Sequence, residues 1–337
     1  MTEEVTRHQT LIGNGEVAHG SISAELLDGK PVEPDQSDCC GNGCSLCVFD
    51  IYEQELKIWK KECMDYVHGV SLSEVCALTC TNSNVLPPTS FLQEDVISKY
   101  TYRNFTISNI KKVTDDTFVY RFTVPNHGPL PLDTAQHLVL RASYNGRVIT
   151  RQYTVISHRE CSGHFDILIK IYPQGKMSRY VASLREGDLV ELRGPFGEFT
   201  YKPNQFKSLL LLAAGTGVAP MIQVIRAIVS NEDDETIVRL LYGTQTYSSI
   251  YLREEINKLK SYWNISVLYC FSQEGKEFKP GYGEEVHFGQ IDERLLNEEL
   301  KKFRQTPHVL ICGPNSFNAR FLAFLKETSP KTTWFVF

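Results

Sequence analysis

Apolar and polar residues alternate along residues 102–172, and this pattern predicts a series of short β-strands. The large apolar side chains of the alternation are Phe105, Ile107, Phe118, Tyr120, Phe122 and Val124. Turn-forming pairs, such as Asp115-Asp116 and Asn145-Gly146, separate the runs. Short strands at this spacing predict a small antiparallel β-barrel over residues 100–206.

From residue 207 the pattern changes to continuous apolar runs interspersed with helical periodicity. A buried strand near Leu209 leads through a glycine-containing turn into a helix. The elements expected after it are strand Ile237–Tyr242, helix Tyr251–Leu259, strand Ile265–Phe271, helix Arg294–Phe303 and strand His308–Ile311. This order predicts an α/β domain with an open parallel sheet over residues 207–337. Its ligand crevice would lie at the carboxyl ends of the strands, where Gly215, Gly243, Ser272 and Cys312 fall.

The residues before the barrel divide into three segments by composition. Residues 1–37 are polar and acidic and are predicted to be disordered, and residues 81–99 have the composition of a linker. Between them, residues 38–80 are rich in cysteine. Within this segment one apolar face of a helix is predicted by five side chains that recur at intervals of three and four: Tyr52, Leu56, Trp59, Cys63 and Tyr66.

The cysteines of this segment raise the question of a metal. Those outside the predicted helix are Cys39, Cys40, Cys44, Cys47, Cys76 and Cys80. Thiolates on a tight glycine-containing loop could hold zinc or an iron–sulfur cluster. No second Cys-x-x-Cys completes a familiar four-ligand pattern, so reduced structural thiols are the alternative, and we assign no metal ligands.

Charge is distributed unevenly along the chain. The formal net charge of −5 combines −9 over residues 1–90, +4 over residues 91–206 and 0 over residues 207–337. A basic barrel suits an acidic protein partner. We expect no nucleic-acid partner and a monomer.

No targeting or membrane segment is recognised. The amino terminus lacks the features of a signal or transit peptide. The apolar run from Leu209 to Val229 is interrupted by Gly215, Gly217, Pro220, Gln223 and Arg226, and it changes from strand to helix period. We therefore expect no integral membrane segment and a cytoplasmic protein that is at most peripheral to a membrane through its partner.

Two features of the predicted barrel suit a phosphate-containing ligand. Arg151, Tyr153 and Thr154 share one strand, and an arginine fork meets two phosphate oxygens at once. The turn Gly175–Ser178 precedes a short helix, whose free backbone N–H groups attract an anion. Each feature alone has a simpler reading, as an edge strand with a solvated arginine and as an ordinary helix cap.

The first turn of the α/β domain has the form of a nucleotide-binding turn. Gly215, Thr216 and Gly217 follow the apolar strand, and Pro220 lies in the first turn of the next helix. Proline at the last position departs from the G-x-G-x-x-G dinucleotide fingerprint. Cys312 stands at a strand end before Gly-Pro; it is either a site residue or a small buried side chain.

Together these motifs resemble the ferredoxin–NADP reductase superfamily and, within it, the NADH–cytochrome b5 reductases. The markers, in the order of the family, are R-Q-Y-T-V-I-S, I-K-I-Y, G-K-M-S, G-P-F-G, A-G-T-G-V-A-P-M, Y-G-T-Q-T, I-C-G-P and F-V-F. The resemblance covers residues 100–337. The segment over residues 38–80 resembles the small oxidoreductase-like domain that precedes some flavin reductases.

The resemblance implies FAD in the barrel and NADH on the second domain. Arg151 would hold the pyrophosphate, Tyr153 the ribityl chain and Thr154 the flavin N5 edge. Cys312 would lie by the nicotinamide C4 and position hydride transfer. The other cofactor-binding residues that it implies are Lys170, Tyr172, Gly175, Lys176, Met177, Ser178, Gly215, Thr216, Gly217, Ala219, Pro220, Gln245, Ser272, Gly313, Pro314 and Phe337.

The chain departs from the family pattern in places that affect specificity. Ala219 stands where the family usually has threonine. Ser272 and Gln273 stand where an acidic residue would favour NADH over NADPH by repelling a 2′-phosphate. NADPH is therefore an alternative to NADH as the bound nucleotide. The expected acceptor is an acidic haem protein such as cytochrome b5. The alternatives are an NADPH-dependent reductase of another acceptor, and a non-catalytic interaction protein that acts through the cysteine-rich segment.

Overall fold

The computed structural model describes residues 96–337, except residues 100, 145 and 276, and scattered residues between 30 and 64. In the latter group Tyr52, Leu56, Trp59 and Cys63 are helical, as their spacing predicts, and Cys63 is buried. The predictions for residues 1–29, for Tyr66, for Cys39, Cys40, Cys44, Cys47, Cys76 and Cys80, and for residues 81–95 fall outside the described residues.

The first domain is a six-stranded antiparallel sheet. Its strands are β1 (Arg103–Lys112), β2 (Thr117–Thr123), β3 (His137–Tyr144), β4 (Arg147–Thr154), β5 (His164–Lys170) and β6 (Leu189–Phe196). Their order in the sheet is β4-β3-β6-β1-β2-β5. The two edges meet through a bridge between Val155 and Ile167, so the sheet closes into a barrel.

The alternating pattern of the sequence fills this barrel. Phe105, Phe122 and Phe165 are buried in its core, and the ring of Phe165 lies 5.2 Å from that of Phe105 and 5.1 Å from that of Phe122. Helix α1 (Lys176–Ser183) packs against β3 and β4. This helix is therefore held beside the strand that carries Arg151.

The second domain is a parallel sheet with helices on both faces. Its strands are β7 (Ser208–Ala214), β8 (Ile237–Thr244), β9 (Ile265–Phe271), β10 (Glu285–Phe288), β11 (His308–Cys312) and β12 (Trp334–Val336), in the order β10-β9-β8-β7-β11-β12. Its helices are α2 (Val218–Val229), α3 (Arg253–Leu259), α4 (Glu293–Leu300) and α5 (Asn315–Thr328). The apolar run of β7 is continuous because Leu209 and Leu211 enter one core and Leu210 and Leu212 the other.

The fold class predicted from the sequence is confirmed, while some element limits differ. Helix α3 begins at Arg253 rather than Tyr251 because Leu252 has a left-handed backbone, with φ of 55°. Helix α4 begins at Glu293 because the carboxylate of Asp292 accepts a hydrogen bond from the N–H of Leu295 at 2.7 Å. The short edge strands β10 and β12 and helix α5 were not predicted.

None of the helices in the described part of the chain combines the length and the apolar character that a membrane span requires. Likewise, the described residues contain no group of three or more His, Cys, Asp or Glu side chains placed to hold a metal ion.

Candidate active site

The strand predicted to bind the flavin is β4, and it places Arg151, Tyr153 and Thr154 at its carboxyl-terminal half. Arg151 and Tyr153 share one face because side chains alternate along a strand. Arg151 is exposed, and its Nη1 donates to the carbonyl of Thr150 at 2.7 Å. Tyr153 packs against the barrel core, where burial raises the pKa of its phenol. Tyr153 is therefore neutral at physiological pH.

Thr154 ends β4 and lies directly opposite His137, the first residue of β3. Burial lowers the pKa of His137 to about 4, and its ring lies 6.2 Å from that of Phe196. Sequence reasoning did not identify His137, since a single histidine at a strand start carries no signal of its own. Only the pairing of β3 with β4 brings it beside Thr154.

Helix α1 begins at Lys176, within the predicted phosphate-binding turn Gly175–Ser178, and its N-cap residue is Gly175. Backbone N–H groups in the first turn of a helix have no partner within the helix and can donate to an anion. The hydroxyl of Ser178 accepts from the N–H of Tyr172 at 3.0 Å, which fixes the shape of the turn. A Cβ on Gly175 would lie 2.8 Å from that hydroxyl, so a side chain at this position would displace it. Lys176 is exposed, whereas Met177 is buried in the barrel core.

Lys170 and Tyr172 extend this region towards the second domain. The Nζ of Lys170 lies 3.0 Å from Asp116 and 5.8 Å from the ring centre of Tyr172, whose side chain is 53% exposed. Burial opposes ionisation of Asp116, but hydrogen bonds from Lys170, Thr117 and Thr114 outweigh it and lower its pKa. Thr117 also lies 3.0 Å from the hydroxyl of Tyr251, a contact between the two domains.

The two glycines of the βα turn serve different purposes. Gly215 has φ of 57°, and a Cβ built on it meets nothing within 4 Å. A Cβ on Gly217 would lie 2.1 Å from the carbonyl oxygen of Cys312. Gly217 thus allows close packing of α2 against the end of β11, and only Gly215 opens backbone to a ligand. Thr216, between them, is half-buried.

Ala219 and Pro220 lie in the first turn of α2, and both are buried. Ala219 packs into the core of the second domain. Their side chains are thus turned to the protein interior.

A cavity of about 990 Å³ opens at the carboxyl ends of the parallel strands. Five of the predicted residues line it: Lys170, Gly215, Gln245, Ser272 and Pro314. The turn between β1 and β2 forms the wall on the barrel side, including Lys112 and Asp116. Helix α5 contributes Phe317 and Arg320 from the other domain. Sequence reasoning missed these contributions because they depend on how the two domains meet.

Cys312 lies at the end of β11, where burial raises the pKa of its thiol to about 12. The side chain therefore stays a neutral thiol at physiological pH. A Cβ on Gly313 would lie 2.7 Å from the ring of Phe317, so α5 packs directly on this turn. Phe337 lies in an aromatic cluster, with its ring centre 5.3 Å from that of Phe199 and 5.0 Å from that of Phe335.

Comparison with known proteins agrees with this arrangement. The "Oxidoreductase FAD-binding domain" family matches residues 104–201, the "Oxidoreductase NAD-binding domain" family residues 211–321, and the "Oxidoreductase-like protein, N-terminal" family residues 25–67. The chain is 41% identical over 291 residues to a mouse (Mus musculus) protein named "NADH-cytochrome b5 reductase-like", covering 86% of this chain and 89% of that protein. The chain belongs to the NADH-cytochrome b5 reductase family.

A human protein of the same name is 39% identical over 86% of this chain and 88% of its own length. Among solved structures, the cytochrome b5 reductase domain of Ulva prolifera nitrate reductase has a TM-score of 0.60 and 28% identity, and the match covers 71% of this chain and 99% of that one. A ferredoxin NADP+ reductase from Neisseria gonorrhoeae, with bound FAD and NADP, shares the fold at a TM-score of 0.56 and 16% identity, over 70% of this chain and 98% of that one. The two family matches and the two curated relatives show that this chain is an oxidoreductase with an FAD-binding and an NAD-binding domain.

The residues present fit both cofactors of this reductase family. For FAD, helix α1 packs against the strand that carries Arg151, its first turn has no acidic side chain, and a Cβ at Gly175 would crowd the hydroxyl of Ser178. For the nicotinamide nucleotide, open space at Gly215 adjoins a cavity lined by Lys170 and by hydroxyl and amide groups. Cationic and N–H donors are the groups that bind phosphates.

Proposed function

We propose that this protein takes a hydride from NADH and passes electrons singly to an acidic haem protein such as cytochrome b5. The observation that carries the proposal is the cavity at the strand ends, because both the barrel and the parallel sheet contribute its walls. A nucleotide bound there would lie between the two cofactor domains. The names of the mouse and human relatives support cytochrome b5 as the acceptor.

In this proposal the bound FAD supplies the redox chemistry, since a flavin takes two electrons as hydride and can give them up one at a time. Arg151 and the start of α1 would hold the pyrophosphate, Tyr153 would line the ribityl chain and Thr154 would contact the flavin edge. Cys312 would orient the nicotinamide as an uncharged thiol, in keeping with its raised pKa. The chain has to orient the two cofactors and exclude water, and no acid–base pair is needed.

A second candidate is the same chemistry with NADPH. At the end of β9, Ser272 and Gln273 are exposed and uncharged, so neither repels a 2′-phosphate. Lys112, Lys170 and Arg320 line the cavity and would attract one. Arg320 is already paired with Glu293 and Lys170 with Asp116, which lowers their availability and favours NADH as the first choice.

The acceptor half of the proposal rests on charge as well. Residues 91–206, which contain the barrel, carry a net charge of +4, whereas residues 207–337 are neutral. An acidic haem protein would therefore approach the barrel side. As part of the same proposal, the protein works as a monomer in the cytoplasm, which sedimentation and cell fractionation test directly.

The deciding experiment is an absorbance spectrum of the purified protein, followed by anaerobic addition of NADH and, to a fresh sample, NADPH. We expect the flavin band to bleach with NADH and the reduced protein to reduce cytochrome b5. Bleaching by NADPH alone would show that NADPH, and not NADH, is the hydride donor, and it would leave the rest of the proposed reaction unchanged. A protein that stays colourless after incubation with FAD would overturn the proposal.

A further inference from the structure

Helix α2 carries two polar side chains, Gln223 and Arg226, in an otherwise apolar stretch. They lie three residues apart and therefore on the same side of the helix. Neither lines the cavity at the strand ends. Both side chains instead reach across the domain boundary to the backbone of the barrel.

Gln223 makes two of these contacts at once. Its Oε1 accepts from the N–H of Ala135 at 2.5 Å, and its Nε2 donates to the carbonyl of Val155 at 2.5 Å. A glutamine amide can do this because it is both donor and acceptor. Ala135 is buried and has a left-handed backbone, with φ of 63°, which costs about 1 kcal/mol for a residue other than glycine.

Arg226 adds a third contact next to the second. Its Nη1 donates to the carbonyl of Ile156 at 2.7 Å, and its Nε donates to Glu255 on α3. Arg226 is therefore also bound to its own domain, through Glu255. Consecutive carbonyls of the barrel, on Val155 and Ile156, are bound by one face of α2.

The barrel residues that Gln223 contacts lie close in sequence to Thr154, which is predicted at the flavin edge, and to its partner His137. Val155 follows Thr154 directly, and Ala135 precedes His137 by two residues. His137 and Thr154 are themselves partners in the β3–β4 register. Gln223 thus joins the chain segments next to both strands of this pair to the helix that follows the Gly215–Gly217 turn.

We propose that Gln223, supported by Arg226, is a positioning residue that sets the separation between the flavin-binding strands and the nucleotide-binding turn. This inference rests on the function proposed above. Hydride transfer requires the reacting atoms to be about 3–3.5 Å apart. Loss of these contacts would let the two domains shift relative to each other while each domain keeps its own core and its own ligand contacts.

The test compares Gln223→Leu with Tyr201→Phe in the flavin-loaded protein. Leucine fills a similar volume but cannot hydrogen-bond. Tyr201 follows the last barrel strand, and its hydroxyl donates to Asp234 at 2.6 Å, so its loss removes a partly buried hydrogen bond that involves neither the β3–β4 pair nor α2. Stopped-flow reduction by NADH gives a limiting rate and an apparent Kd for each protein.

For Gln223→Leu we expect a limiting rate lower by about ten- to a hundredfold, since a misplacement near 1 Å has an effect of that order. The apparent Kd for NADH should stay within about threefold and the flavin content should not change. Tyr201→Phe should keep the wild-type limiting rate. A Gln223→Leu limiting rate within twofold of wild type, or an equal loss in Tyr201→Phe, would overturn the inference.

A second readout does not depend on activity. The N–H of Ala135 should exchange with deuterium faster in Gln223→Leu than in wild type, and at the wild-type rate in Tyr201→Phe. If Gln223→Leu fails to retain flavin, Arg226→Lys, which keeps the charge but loses the fork, provides the same comparison. Failure of the wild type to be reduced by NADH would refute the proposed function, whereas a reduced wild type with an equally fast Gln223→Leu refutes only this inference.

Discussion

Gly215 and Gly217 belong to the same turn, yet a methyl group added to each would meet different surroundings. At Gly215 the methyl group has open space, and only the positive φ of 57° opposes it. At Gly217 it would lie 2.1 Å from the carbonyl oxygen of Cys312. The spacing of the glycines predicts a nucleotide-type turn, but it does not tell which glycine serves the ligand and which serves packing.

We predict that Gly217→Ala is more destabilising than Gly215→Ala. Overpacking against a fixed carbonyl should lower the free energy of unfolding by about 2–3 kcal/mol. Gly215→Ala should lower it by about 1 kcal/mol, the cost of a left-handed backbone for alanine. Urea denaturation of both variants measures the difference, and equal losses would contradict the packing role of Gly217.

Because burial lowers the pKa of His137, we predict that the free energy of unfolding depends on pH. The pKa of His137 is about 4 in the folded protein against an ordinary value of 6.5, so the unfolded chain binds the proton first. The free energy of unfolding should be unaffected above pH 7 and should fall as the pH drops from about 6.5 towards 4. Between pH 7.5 and pH 5 the loss amounts to about 2 kcal/mol.

His137→Phe cannot titrate and should lack this part of the loss. His308, whose pKa is also lowered by burial, is present in both proteins, so its contribution cancels in the comparison. Denaturant unfolding of wild type and variant at pH 7.5 and pH 5 measures the difference. The same loss in both proteins would show that His137 is not responsible.

At the scale of elements, α1 depends on the turn that precedes it. The periodicity predicts a helix, and the hydroxyl of Ser178 accepts a hydrogen bond from the N–H of Tyr172. Ser178 therefore shapes the turn, while its own O–H can still donate to a phosphate. A residue predicted as a ligand contact thus also holds the backbone of the turn.

We predict that Ser178→Ala weakens FAD binding and lowers the free energy of unfolding by about 1–2 kcal/mol, because the N–H of Tyr172 loses its acceptor. The matched control is Ser183→Ala at the other end of α1, whose exposed hydroxyl donates to the carbonyl of Tyr180 at 2.7 Å. Flavin release on dilution, followed by fluorescence, should be faster only in Ser178→Ala. Equal release from both variants would argue against a role for the turn.

At the scale of the whole molecule, the two domains differ in net charge. Residues 91–206, which contain the barrel, have a net charge of +4, and residues 207–337 have a net charge of 0. Salt screens exposed charges over about 8–10 Å at 0.10–0.15 M. An encounter with an acidic protein should therefore weaken as salt is raised, whereas events inside the cavity should change little.

We predict that the KM for cytochrome b5 rises several-fold between 0.02 and about 0.2 M salt, because screening reduces electrostatic steering. The limiting rate of flavin reduction by NADH should stay within about twofold over the same range. Steady-state and stopped-flow rates at matched ionic strengths separate the two effects. A KM that does not depend on salt would mean that charge does not guide this acceptor.

Local pattern by itself determined the two-domain fold of this protein. The alternation at Phe105 and Phe122 specifies half-buried strands, and the continuous run from Leu209 specifies a strand buried on both faces, because side-chain period follows burial. The same reading placed Gly215, Ser272 and Cys312 at strand ends. These are properties of neighbours along the chain.

Only the tertiary structure decided which distant groups meet. The pairing of His137 with Thr154, the approach of Gly217 to Cys312 and the contacts of Gln223 with Ala135 and Val155 each join residues far apart in sequence. Sequence periodicity tells whether a position is buried but not what it is buried against, since that depends on strand register and domain packing. In the sequence, Gln223 and Arg226 served only to exclude a membrane span; the folded protein places them between its two cofactor domains.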